Sequence, residues 1–166
     1  MEIRGLSDQN MYDYENGFFW FSPWNRVGKQ IAHWEIYKQI IDIPGDILEF
    51  GVYKGASLLR WATYREIAEN SYKRKIIGFD AFGAFPLSLS APEEDRLFVD
   101  RFSIAGGDGL SLDEMQSIVS AKSFTNVHLF QGNVMESLPA FLQNNQHTRI
   151  SLVNLDLDVY EPTLFV

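Results

Sequence analysis

Two aspartates separated by one leucine, Asp156 and Asp158, close the apolar run of "ISLVNLDLDVYEPT" (150–163). Strand side chains alternate, so such a pair points to one face with its charges close enough to interact. Like charges in a half-buried setting are costly and persist where a cation, a shared proton or a reacting group makes use of them. Three other apolar runs end in groups able to bind a ligand. In "DILEFGVYKGAS" (46–57), Gly51 and Gly55 allow close backbone approach, and Ser57 either caps the following helix or binds an anionic group beside its free N–H groups. Asp80 in "IIGFDAF" suits the two hydroxyls of a ribose diol, or a turn. Asn133 in "LFQGNV" suits an adenine edge, although for this residue alone capping of the next helix is the stronger reading.

Glu49 narrows the ligand. An acid at the end of an apolar strand repels phosphate, which argues against a dinucleotide pyrophosphate and for a cationic or hydroxyl-bearing group. The spacing agrees, because Asp80 lies 29 positions after Gly51 (80 − 51), against the roughly 20 of the nicotinamide fingerprint.

The elements that must hold these residues follow from periodicity. Val27, Ile31, Trp34, Tyr37 and Ile41 step by three or four along one helical stripe over 25–42, ended by "IPGD". Strands are predicted at 46–52, 74–82, 126–134 and 149–160, with helical segments after the first and third. Strands alternating with helices predict a Rossmann-like α/β domain with a mostly parallel sheet covered on both faces, and its ligands sit beyond the carboxyl ends of the strands. Residues 83–125 read as a decorated crossover with two short helices, or as a lid hinged at Gly106, Gly107 and Gly109. The expected division is an N-terminal aromatic segment and helix (1–45), then the N-terminal half of a cofactor-binding domain (46–166). Pro162 opens a helix that stops after about one turn at Val166, and the fourth strand has apolar residues on both faces with no successor to pair with; a chain truncated at its C-terminus is therefore expected.

Composition excludes several classes. A formal net charge of −8, with scattered basic residues, argues against a nucleic-acid partner. With no cysteine there is no disulfide, thiolate metal site or cysteine nucleophile. No window approaches the roughly 18 apolar residues of a membrane span, and the N-terminus lacks the layout of a secretory signal, so a cytoplasmic protein is expected. His33, His128 and His147 show no ligand or triad spacing. Phe18, Phe19, Trp20, Phe21 and Trp24 are expected in a core or an interface.

Taken in order, "GDILEFGVYKGASL", "IIGFDAFGAFP", "GNVMESLP" and "LDLDVYEPT" resemble the macrocin O-methyltransferase family, S-adenosylmethionine-dependent enzymes of the class I methyltransferase fold. The resemblance runs from about "ENGFFWFSPW" to the end of the chain, and "DLDVYEPT" is its most specific motif. It implies that Glu49, Gly51 and Ser57 surround the methionine part of the cofactor, Asp80 holds the ribose hydroxyls and Asn133 lies near the adenine. It also implies that Asp156 is a ligand of a divalent metal such as Mg²⁺ and Asp158 a general base acting on a sugar hydroxyl. The aromatic run would then serve the acceptor side or a homodimer. The family pattern takes two more aspartates from a following strand, which this sequence does not reach. One competing reading is a nicotinamide-dependent oxidoreductase on the same fold. Another is an inactive half-sheet serving as an interaction module.

Overall fold

A computed structural model of the chain describes residues 1–86 and 91–166; residues 87–90, within the expected 83–125 insertion, lie outside the described residues. The chain opens with a short antiparallel hairpin, β1 (Glu2–Ile3) and β2 (Leu6–Ser7), then a 3-10 turn (Asp8–Asn10), α1 (Met11–Phe21) and α2 (Trp24–Ile40). Next come β3 (Asp46–Phe50), α3 (Ala56–Ala68), β4 (Ile76–Asp80), α4 (Glu93–Gly106), α5 (Leu112–Ala121), β5 (Val127–Gln131), α6 (Val134–Asn144), β6 (Ile150–Leu155) and α7 (Tyr160–Phe165). β3 to β6 form one sheet in the order β5-β4-β3-β6, and every neighbouring pair is parallel. This is the α/β architecture that the strand–helix alternation predicts.

Alternation along the central strands divides the core in two. Ile47 and Ile76 face a layer containing Tyr37 and Ile40 of α2, Leu58, Trp61 and Ala62 of α3, and Met115 of α5. Leu48, Phe50, Ile77 and Phe79 face Val134, Leu138 and Phe141 of α6. The buried stripe of α2 is His33, Tyr37 and Ile40, whereas Ile31, placed on the predicted stripe, is 58% exposed. His33 lies inside because its ring stacks on Trp61 at 4.5 Å, an aromatic partner that periodicity does not reveal. α1 has no buried residue, and Phe19, Trp20, Phe21 and Trp24 are all exposed, so the aromatic run does not contribute to the core of this chain.

Two buried arginines brace the end of the sheet remote from the strands' carboxyl ends. The Arg74 guanidinium donates to the carbonyls of Ile40, Ile41, Ile43 and Gly45 and to Ser151 Oγ, and pairs with Glu69 at 2.8 Å. The Tyr37 hydroxyl donates to the same carboxylate, which lies below the usual range because Arg74 and Tyr37 together outweigh its burial. Arg65 donates to the carbonyls of Arg74, Thr125 and Asn126. At the N-terminus, Arg4 pairs with Glu114 and donates to the carbonyls of Asp108 and Gly109, fixing the hairpin against the start of α5. No described helix is long and apolar enough to cross a membrane.

Candidate active site

All four strands end earlier than predicted, and each shortening turns backbone into site. β3 ends at Phe50 because Gly51 takes φ +91°, a conformation that favours glycine. A Cβ at Gly51 would overlap the carbonyl oxygen of Asp156, so the missing side chain lets the ends of β3 and β6 touch. The Gly51 N–H donates to Phe79 O and the Asp156 N–H to Phe50 O, both at 2.9 Å, which ties three strand ends together. At Gly55 the neighbour filling the space is Met115. Both glycines thus serve internal packing on the sides that their Cβ atoms would occupy.

β6 ends at Leu155, before the aspartate pair, which corrects the premise that alternation along a strand sets its orientation. Asp156 continues from the strand end, while Asp158 has φ +62° and turns the chain towards α7. Both nevertheless line one cavity. Lys29 of α2 lies 3.4 Å from Asp156 Oδ2. The Asp158 carboxyl lies above its ordinary pKa, first through desolvation and then through the Asp156 charge, with Lys29 opposing.

Asp80, at the end of β4, is committed to backbone. Its Oδ2 accepts the N–H groups of Val52 and Tyr53 at 2.7 and 2.8 Å, and its Oδ1 accepts that of Phe82 at 2.7 Å. A carboxylate has about four acceptor positions, so roughly one remains for a ligand. Asn133 Oδ1 accepts the Met135 N–H at 3.0 Å and caps α6.

Glu49 lies at 0% exposure, and three elements converge on it. Ser57 Oγ and Trp61 Nε1 of α3 donate to it at 2.8 Å each, and Asn154 Nδ2 of β6, its partner in the strand register, donates at 3.2 Å. Burial without a cation among these partners pushes its pKa up to about 7, although the hydrogen bonds oppose the shift.

The cavity, of about 430 Å³, opens at the carboxyl ends of the strands. Gly51, Asp80, Asn133, Asp156 and Asp158 line it; Glu49 and Ser57 are not among its lining residues. It also takes in Tyr53, Phe85, Asp95 and Phe102, residues that the motifs do not single out, and Glu161, which "DLDVYEPT" contains without marking its use. The Tyr53 ring packs against Phe102 of α4 at 5.0 Å, and its hydroxyl donates to Gly106 O at 2.7 Å. The Tyr160 N–H donates to Asp95 Oδ2 at 3.1 Å, so α4 is tied to the strand-end loops at both its ends.

The cavity volume falls within the roughly 300–1,000 Å³ of small-molecule sites. Its placement at the strand ends, with the Asp80 carboxylate on one wall, fits a nucleoside-bearing cofactor. The same residues do not fit a Mg²⁺ ion, which takes near-octahedral oxygen coordination. No group of three or more metal-ligating side chains occurs among the described residues, and Asp156 already has Lys29 beside it.

Comparison with known proteins agrees with this geometry. The sequence model of the macrocin O-methyltransferase (TylF) family matches residues 32–165. The chain is similar to two solved structures of CalS11: one described as a calicheamicin methyltransferase (27% identity, TM-score 0.66) and one as an apo TDP-rhamnose 3'-O-methyltransferase of calicheamicin biosynthesis (28%, 0.61). Each alignment covers 96% of this chain, and the chain spans 65% and 63% of those structures. The O-methyltransferase NovP, at 19% identity over 82% of this chain and 56% of its own, shares the fold with a TM-score of 0.67. No curated protein sequence matches the chain. The family match spans the sheet, the glycine turn and the acid-bearing loop: the chain belongs to the macrocin O-methyltransferase family.

Proposed function

We propose that the protein is an S-adenosylmethionine-dependent O-methyltransferase acting on a hydroxyl of a sugar or sugar-bearing natural product. The observation that carries this reading is the convergence of Gly51, Asp80, Asn133, Asp156 and Asp158 on one cavity within the family-matched span. The CalS11 structures, one described as a sugar O-methyltransferase, support the same class of acceptor.

The bound cofactor supplies an electrophilic methyl group that needs little further activation, so the protein's task is alignment and proton removal. In this reading Asp80 uses its remaining acceptor capacity on the ribose hydroxyls, and Asn133 faces the adenine. Glu49 and Ser57 serve the methionine end by fixing the 51–55 loop from beneath. Asp158 accepts the proton of the acceptor hydroxyl; burial and Asp156 raise its basicity, the direction that favours proton transfer. Asp156 sustains that raised basicity. No step is assigned to Mg²⁺.

The test is calorimetric titration of the chain with S-adenosylhomocysteine, with NAD⁺ as control. Selective binding of the first, weakened at least tenfold by Asp80→Asn, is expected. Preferential binding of NAD⁺, or binding indifferent to Asp80→Asn, refutes the assignment.

A further inference from the structure

The charge of the cavity wall narrows the acceptor, given the methyltransferase reading. Asp80, Asp95, Asp108, Asp156, Asp158 and Glu161 all line the cavity, and no described lining residue is Lys, Arg or His. The neighbouring residues 87–90 are Leu-Ser-Leu-Ser and carry no charge. Nearby cations are engaged elsewhere: Lys54 donates to Gly106 O, and Arg4 pairs with Glu114 and the Asp108 and Gly109 carbonyls. Lys29 stands beside Asp156 alone. The cofactor adds one net positive charge at most, and Asp80 belongs to its end of the cavity.

Two of the remaining acids share one rim. Asp95, in the first turn of α4, caps the start of α7 through the Tyr160 N–H, one residue before Glu161. That contact links the helix beside the cavity to the loop that carries Asp156 and Asp158. A phosphate-bearing acceptor entering there meets only like charge and leaves its own charge unpaired, which is costly in a partly desolvated cleft. A protonated amine meets carboxylates in a setting that focuses their field.

We infer that the acceptor is an amine-bearing hydroxyl compound, cationic at neutral pH, such as an amino sugar glycoside, and that Asp95 and Glu161 select it against nucleotide-activated or otherwise phosphorylated sugars. Its hydroxyl is directed towards Asp158 and its ammonium group towards the α4–α7 rim.

The experiment titrates the chain, with and without saturating S-adenosylhomocysteine, with three probes: methyl glucosaminide, methyl glucoside and glucose 1-phosphate. Exposed charge pairs contribute a few-fold each, so the amine is expected to bind about tenfold more tightly than the neutral glycoside. The phosphate is expected to bind more weakly than either, and the amine's advantage to shrink in high salt. The double variant Asp95→Asn/Glu161→Gln, which keeps an oxygen for the Tyr160 N–H, is expected to abolish the preference. Equal affinities, no detectable amine binding, a preference for the phosphate, or a preference that survives the double variant overturns the inference. Because the probes are also read without S-adenosylhomocysteine, failure of the cofactor reading is seen separately from failure of the charge reading.

Discussion

Replacing Glu49 by Gln should change how stability depends on pH in a direction that the structure dictates. Glu49 is fully buried, its three partners are neutral, and Asp156 adds a like charge. Its pKa rises from 4.5 to about 7 on folding, so the native state holds its proton more tightly than the unfolded chain does. Glu49 therefore costs nothing below pH 4.5; stability falls as pH rises from there to about 7, and the whole penalty is present above. At 1.36 kcal/mol per unit, the ceiling is about 3 kcal/mol. Gln keeps the geometry, because its oxygen can accept from Trp61 and Asn154 while its amide donates to the Ser57 hydroxyl. Burial lowers the pKa of His33 and His128, giving an acid-side effect of opposite slope, but both proteins share it and it cancels in their difference. Urea unfolding followed by tryptophan fluorescence at pH 4.5, 6 and 8 should show the variant gaining on the parent by up to about 3 kcal/mol across this range. A difference that stays constant with pH, or runs the other way, would refute the claim that Glu49 is a buried, uncompensated carboxylate.

Arg74→Ala should be strongly destabilising, by about 3–5 kcal/mol, because it strands the 4%-exposed Glu69 carboxylate along with several carbonyls; chemical denaturation measures it. Gly51→Ala must force the ends of β3 and β6 apart, at a cost above the roughly 1–3 kcal/mol of a left-handed non-glycine residue, and should weaken S-adenosylhomocysteine binding in calorimetry. Asp156→Asn should move the Asp158 carboxyl to a lower pKa, since it removes a like charge and frees Lys29 from its partner; an NMR pH titration of Asp158 reads the shift.

The strands and their parallel order were legible because short apolar runs alternate with helical segments. Their ends were not, because a strand stops where the backbone leaves the ladder. At Gly51 a positive φ accompanies a glycine, a usable signal, whereas at Asp158 it falls on an aspartate within a motif that reads as extended. The site residues were legible as acids at strand ends, and Asp80, Asn133, Asp156 and Asp158 do meet. What each carboxylate is committed to could not be read, because Trp61, Asn154 and the Tyr53 N–H reach Glu49 and Asp80 only through the fold. Asp95 carried no mark among the acids of "EEDRLFVD"; its contact with Tyr160 spans 65 positions.

The contact between Gly51 and Asp156 also bears on how catalysis could be tuned. The Asp156 carbonyl rests where a side chain would stand, and backbone hydrogen bonds lock Gly51 to β4 and Asp156 to β3. The loop proposed to hold the methyl donor and the loop bearing the acid pair are therefore one rigid platform, assembled when the sheet forms. Ligand arrival cannot swing the aspartates relative to the methyl group. Adaptation to a new acceptor falls to residues off that platform, such as those of α4, where substitutions can redraw selectivity without disturbing the reacting geometry.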